Sequence, residues 1–147
     1  METQPPAAVI AAAQAADALW HIPASVIIAQ WALESDWGRR EPPGSNNPFG
    51  EKAPAGTPGV SAATHEVFDG RAVDVDATFR AFPSLAAAFD FHAGHLATSR
   101  FYGPARACLP NVAGFCRGLT GVYATDPAYG GKLIDIINDS DLEAYDS

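Results

Sequence analysis

Pro23-Ala24-Ser25-Val26-Ile27-Ile28-Ala29-Gln30-Trp31-Ala32-Leu33-Glu34-Ser35-Asp36-Trp37-Gly38 is an apolar run with a proline at its start and a glycine at its end. Proline fits a first helical turn and glycine a helix end, so the run predicts a helix over residues 23–38. Ile27, Trp31 and Glu34 follow the i, i+4, i+7 spacing and share one stripe of that helix. A carboxylate on an apolar stripe is partly desolvated, which raises its pKa. The negative end of the helix dipole pushes it the same way. The plainer reading pairs Glu34 with Arg39, Arg40 or a backbone amide, since ordinary ion pairs also perturb carboxylates.

Outward from this helix, the 147 residues are enough for one domain, and 48% of them are apolar, so the chain should fold. We read residues 1–147 as a single domain. Pro5-Pro6 opens a helix over residues 7–20, and Ser84 caps another over 85–98. Shorter helices are expected over 110–119 and, with Asp126 as cap and Pro127 at the first helical position, over 127–138. The acidic tail, residues 139–147, is expected to fray. Residues 41–59 form a loop rich in proline, glycine and asparagine, too long for a mere connector.

Asp69-Gly70 between two alternating runs is the one β-signal, a hairpin at about residues 63–80 with a two-residue turn. That turn sets Glu66 opposite Val73, on the face shared with Phe68, Val75 and Phe79, and pairs His65 with Asp74 on the other. The plain reading of Glu66 is an edge glutamate reaching water. Helices around one small hairpin predict an α+β fold with a cleft between a helical and a β lobe.

The net charge of −8 and the lack of a basic stripe speak against a nucleic-acid partner. No segment reaches the roughly 20 apolar residues of a membrane span. The first residues hold Glu2 and no Lys or Arg, which does not read as a secretion signal, so synthesis in the cytoplasm is expected. Cys108 and Cys116 allow a short disulfide loop in an oxidising compartment, and equally two small buried thiols. His92 and His95 are one residue short of the zinc-helix spacing and lack a third ligand, so they read as ordinary helix residues, with no metal or cofactor expected.

Three stretches carry a resemblance. Ala32-Leu33-Glu34-Ser35-Asp36-Trp37-Gly38, Asn46-Asn47-Pro48-Phe49-Gly50-Glu51-Lys52 and Tyr123-Ala124-Thr125-Asp126-Pro127-Ala128-Tyr129 resemble glycoside hydrolase family 73, the glucosaminidase domains of flagellar and autolytic peptidoglycan hydrolases. Residues 64–70 resemble the family's hairpin carboxylate segment. The resemblance implies a lysozyme-like fold that cleaves the peptidoglycan glycan strand as an endo-β-N-acetylglucosaminidase. It implies Glu34 as general acid, Glu66 as second carboxylate, Tyr123 beside the acid, and Asn47 with Phe49 in a loop that approaches the sugar. The chain departs from the family at Asp36, where glycine is usual, and at Pro48 and Glu51, where apolar residues are usual. A second carboxylate at Asp36 is expected to alter the pKa of Glu34.

The residue types suit that chemistry. Glu34 donates a proton to the leaving oxygen. Glu66 then activates water, or the substrate's own acetamido group attacks. Trp31, Trp37, Phe49, Phe79 and Tyr123 offer faces for sugar rings, although a large aromatic taken singly is more often core. A muramidase or lytic transglycosylase is the enzymatic alternative, and a silent glycan-binding module the other. An endolysin, or a bacteriolytic toxin delivered by a type VI machine and held by a cognate immunity protein in the cleft, fits an acidic protein expected to be a monomer when free and to act in the periplasm or wall.

Overall fold

In the computed structural model, residues 3–57 and 59–147 are described, with the backbone alone for residues 65–68. Helices α1 (Ala7–Trp20) and α2 (Ala24–Ser35) come first, followed by a hairpin of β1 (Gly59–Phe68) and β2 (Arg71–Arg80). Helices α3 (Leu85–Thr98), α4 (Gly103–Arg106), α5 (Val112–Leu119) and α6 (Tyr129–Asp139) complete the helical lobe. A 3₁₀ turn, Arg100–Tyr102, precedes α4, and another, Leu142–Tyr145, follows α6.

The centre of the molecule is α2. Every residue from Ala24 to Ala32 is buried, so the helix is enclosed on all sides rather than along one stripe. It packs against α1, α3, α6 and the C-terminal 3₁₀ turn. Ile27 and Trp31 are therefore core residues, and Glu34 emerges only where the helix leaves the core. The helix ends at Ser35. Asp36, Trp37 and Gly38 then take left-handed φ values of 50°, 58° and 86°. Aspartate tolerates that region better than most residues, which is how Asp36 stands where relatives of the motif favour glycine.

The hairpin has the register its turn predicts. Asp69 and Gly70 both have positive φ, and Glu66 lies opposite Val73 with His65 opposite Asp74. The long loop is pinned to β2: Arg80 N donates to Glu51 O and Ala53 N to Thr78 O, both at 2.8 Å.

Helices α1 and α3 match their predicted bounds, and Ser84 Oγ accepts from Ala87 N at the start of α3. Helix α5 begins at Val112 because Asn111, not a residue before it, supplies the cap to Gly114 N. Helix α6 begins at Tyr129, two residues later than predicted. Asp126 instead accepts from Ala128 N in a turn that precedes it. Gly130 is needed there, since a Cβ would lie 2.6 Å from Cys116 O.

The acidic tail is docked, contrary to the expectation of fraying. Leu142 is fully buried, and Asp146 accepts from both Ser25 N (2.7 Å) and Ser25 Oγ (2.8 Å) at the start of α2. An anion at a helix N-terminus meets unpaired N–H groups and the positive end of the dipole, which repays ordering a charged segment. Truncating the buried anchor, Leu142→Ala, is expected to cost about 3 kcal/mol in urea unfolding. A frayed tail would lose almost nothing.

Candidate active site

Glu34 stands at the meeting of two cavities, of about 530 and 330 Å³, that share Glu34 and Gly50. One lies towards the hairpin and is walled by Arg40, Glu41, Ala62, Thr64 and Phe79. The other lies towards the helices and is walled by Glu51, His95, Tyr102 and Tyr123. Together they make a groove that passes Glu34 on both sides.

Glu34 is exposed as a residue because it faces this open groove. Its carboxyl nonetheless has protein on several sides. Desolvation is the main force on its proton and raises the pKa; the Tyr129 hydrogen bond opposes this and the charge of Glu51 adds to it. No arginine holds it among the described contacts: Arg39 pairs with Asp36 at 3.1 Å on the surface. Asp36 also has no part in the Glu34 shift, so the expected influence of that neighbouring carboxylate gives way to that of Glu51. The reason is direction, since Asp36 turns to Arg39 and Glu51 lines the groove.

Behind Glu34 lies a chain of buried polar groups. Tyr129 Oη donates to Glu34 Oε1 (3.2 Å), and Gln30 Nε2 donates to Tyr129 Oη (3.0 Å). His92 Nε2 is 2.7 Å from Gln30 Oε1, and its Nδ1 is 3.3 Å from Glu51 Oε1. Gln30 and His92 are completely buried. Burial holds His92 below the usual histidine range, so it is neutral at pH 7. Burial alone would raise Glu51, but the hydrogen bond with His92, with His95 and Arg80 close by, outweighs it and draws Glu51 down. The reading of His92 as an ordinary helix residue is thus corrected. Gln30 in an apolar run was the available signal, because a buried amide needs partners.

The other sequence candidates divide. Tyr123 lines the groove, stacked on Tyr129 at 5.5 Å and edge-on to His92 at 5.7 Å; burial pushes its hydroxyl well above the ordinary tyrosine pKa. Phe79, 8% exposed, forms part of the groove floor. Phe49 is 4% exposed and lies flat on the His92 ring at 3.9 Å, so its face is already taken. Trp31, 3% exposed, packs edge-on to Trp37 inside the core and offers no face to a sugar. Asn47 is fully buried: its Nδ2 donates to Glu51 O and Arg80 O, and its Oδ1 accepts from Glu51 N. It clamps the Glu51 backbone and lines the hairpin-side cavity. Glu66 is placed by the backbone register, and its side chain lies outside the described residues.

Cys108 and Cys116 are free thiols, so the disulfide their spacing allowed is not formed. Cys116 faces the core from α5, where burial pushes its pKa to about 12, while Cys108 is exposed. Among the described residues, no group of three His, Cys, Asp or Glu side chains is placed to hold a metal ion.

Comparison with known proteins agrees with this geometry. A family model described as glucosaminidase (mannosyl-glycoprotein endo-beta-N-acetylglucosaminidase) matches residues 10–142. A probable N-acetylmuramidase of Lactococcus lactis subsp. cremoris is 38% identical over 130 residues, covering 83% of this chain and 30% of that protein. The exo-glucosaminidase LytG of Bacillus subtilis is 33% identical over 133 residues, covering 86% of this chain and 47% of that protein. The chain therefore spans less than half the length of either relative. The catalytic domain of the Listeria monocytogenes autolysin Auto superposes with a TM-score of 0.84 at 29% identity, over 98% of this chain and 90% of that domain. With an α+β fold shared with such lysozyme-like domains and a family match over nearly its whole length, the chain belongs to the glucosaminidase family.

Proposed function

We propose that this domain hydrolyses peptidoglycan, cutting the glycan strand internally on the N-acetylglucosaminyl side with Glu34 as general acid. One observation carries this reading: a desolvated carboxyl, held by a tyrosine and free of any described arginine contact, at the midpoint of a groove open on both sides. A strand lying along such a groove is cut within its length, and a carboxyl that keeps its proton can give it to the leaving oxygen. Family membership and the peptidoglycan hydrolases among the relatives support the substrate class. The hairpin side of the groove, Ala62, Thr64 and Phe79, gives a sugar ring apolar contact, and Arg40 and Glu41 on the same cavity offer it polar partners.

Positive charge develops at the anomeric carbon as Glu34 gives up its proton. Glu51, ionised and on the same groove, favours that charge by Coulomb attraction. Water is then activated by Glu66 from the hairpin, which an inverting route places roughly 6.5–9.5 Å from the acid. Otherwise the substrate's acetamido group attacks, steered by Tyr123 from the groove wall. Delivery to the periplasm or wall, as an effector or an endolysin, belongs to the same proposal, with the groove as the seat of a cognate immunity protein. Recovery of a partner on co-expression with the neighbouring reading frame would distinguish the effector.

Purified protein acting on cell walls is expected to leave reducing N-acetylglucosamine ends by mass spectrometry. Reducing or anhydro N-acetylmuramic ends would reject the bond assignment. Glu34→Gln should lower the rate about 10²–10⁴-fold with the fold intact. The same variant should be more stable than the parent at pH 7. Glu34 holds its proton more tightly folded than unfolded, so its contribution falls as pH rises from the ordinary value of 4.5 through the raised one. Thermal melts should show the gain at neutral pH, and show it vanish below the ordinary glutamate range.

A further inference from the structure

Glu34 and Glu51 line the same stretch of groove and are also the two ends of one buried chain, Glu34–Tyr129–Gln30–His92–Glu51. Hydrogen-bond polarity constrains that chain. With Gln30 Nε2 donating to Tyr129, Gln30 Oε1 must accept from His92 Nε2–H. His92 Nδ1 then bonds Glu51 only if the His92–Glu51 pair carries one proton beyond a neutral ring and a carboxylate. At the far end, Tyr129 donates to an ionised Glu34.

Turning the Gln30 amide over reverses every bond without moving a ring. His92 Nδ1–H then donates to the Glu51 carboxylate and Gln30 Nε2 to His92 Nε2. Tyr129 donates to Gln30 Oε1, and protonated Glu34 donates to Tyr129. The two arrangements hold the same number of protons and the same net charge, and differ only in which end carries the proton. The charged and titratable groups around the chain are Arg80 from β2, His95 from α3, Cys116 from α5, Tyr102 and Tyr123. Arg80 and His95 act on Glu51, and both tyrosines are pushed up and stay neutral.

We infer that Glu51 is a positioning residue whose protonation state is linked to that of Glu34 by the polarity of the hydrogen bonds through Tyr129, Gln30 and His92. The inference rests on the hydrolase reading for its place in turnover. When the glycosidic C–O bond breaks, the leaving oxygen takes the Glu34 proton, and Glu34 becomes the carboxylate that Tyr129 stabilises. Water activated by Glu66 bonds the anomeric carbon, and the proton that Glu66 takes passes through groove water to Glu51. An amide flip moves no proton, so the proton returns to Glu34 through water in the cavity that both carboxyls line, while reversal of the chain follows it, and each turnover ends with the protons where they began.

NMR of the His92 ring nitrogens, followed against pH in histidine-labelled protein, tests this without any substrate. In the parent, the ring should change state in step with ionisation of Glu34, as expected for sites coupled by about one pH unit or more. The step should vanish in Glu34→Gln. It should vanish too in Gln30→Met, which cuts the chain and leaves both carboxylates charged. A step that persists in Gln30→Met is carried through space and overturns the relay, as does a parent ring with no step. If Gln30→Met does not fold, Tyr129→Phe cuts the next link and is read the same way. On wall substrate, Glu51→Gln should lower kcat about tenfold with KM nearly unchanged. If no variant and no parent turns over, the hydrolase reading fails while the ring steps still decide the relay.

Discussion

A polar side chain in the middle of a helix buried on every side must find its partners inside the protein, and Gln30 is that side chain. An unpaired buried amide costs about 1–3 kcal/mol, enough to matter against the marginal stability of a domain. Its two partners come from different elements, Tyr129 at the first residue of α6 and His92 on α3. Satisfying Gln30 therefore fixes two helices against α2. Those helices in turn carry the groups that meet Glu34 and Glu51. The requirement that completes the core thus also arranges the groove.

The long loop joins the same arrangement from the other side. Phe49 covers the flat face of His92, which removes water from the ring and keeps it neutral. Asn47 then spends its amide on three backbone bonds, two of them to Glu51 itself, and fixes where that carboxylate leaves the loop. These residues belong to the motif that looks most like a sugar-binding loop. Two of its members act by shaping the wall, and the wall presents Glu51, at a position where the resemblance expects an apolar residue.

Opposite tendencies on the two carboxylates follow from this geometry. Glu34 has desolvation, one neutral donor and a nearby negative charge, so its proton is held. Glu51 has the His92 ring against it and the Arg80 guanidinium nearby, so its proton is released. Two acids of one chemical type are pushed in opposite directions by environment alone, one towards holding its proton and the other towards releasing it. On the proposed hydrolase reading, such a division is what an oxocarbenium-like transition state requires.

What the sequence by itself determined is everything whose cause lies within a few residues. The Ser84 cap and the Asp69-Gly70 turn act locally, so α3 and the whole hairpin register could be read from them. Glu34 was legible because a single acid in an apolar run is unusual at any range, and Tyr123 because its motif places it in a turn. Only the tertiary structure decided the rest. Gln30 and His92 meet across 62 residues, Gln30 and Tyr129 across 99, and Asp146 reaches Ser25 across 121. No local pattern encodes such pairs, because each forms only after packing removes water and leaves a polar atom one partner to choose. For the same reason Trp31 and Phe49, aromatic and plausible as sugar platforms, became core: a flat ring goes where the most surface is buried, and that is settled by neighbours distant in the chain.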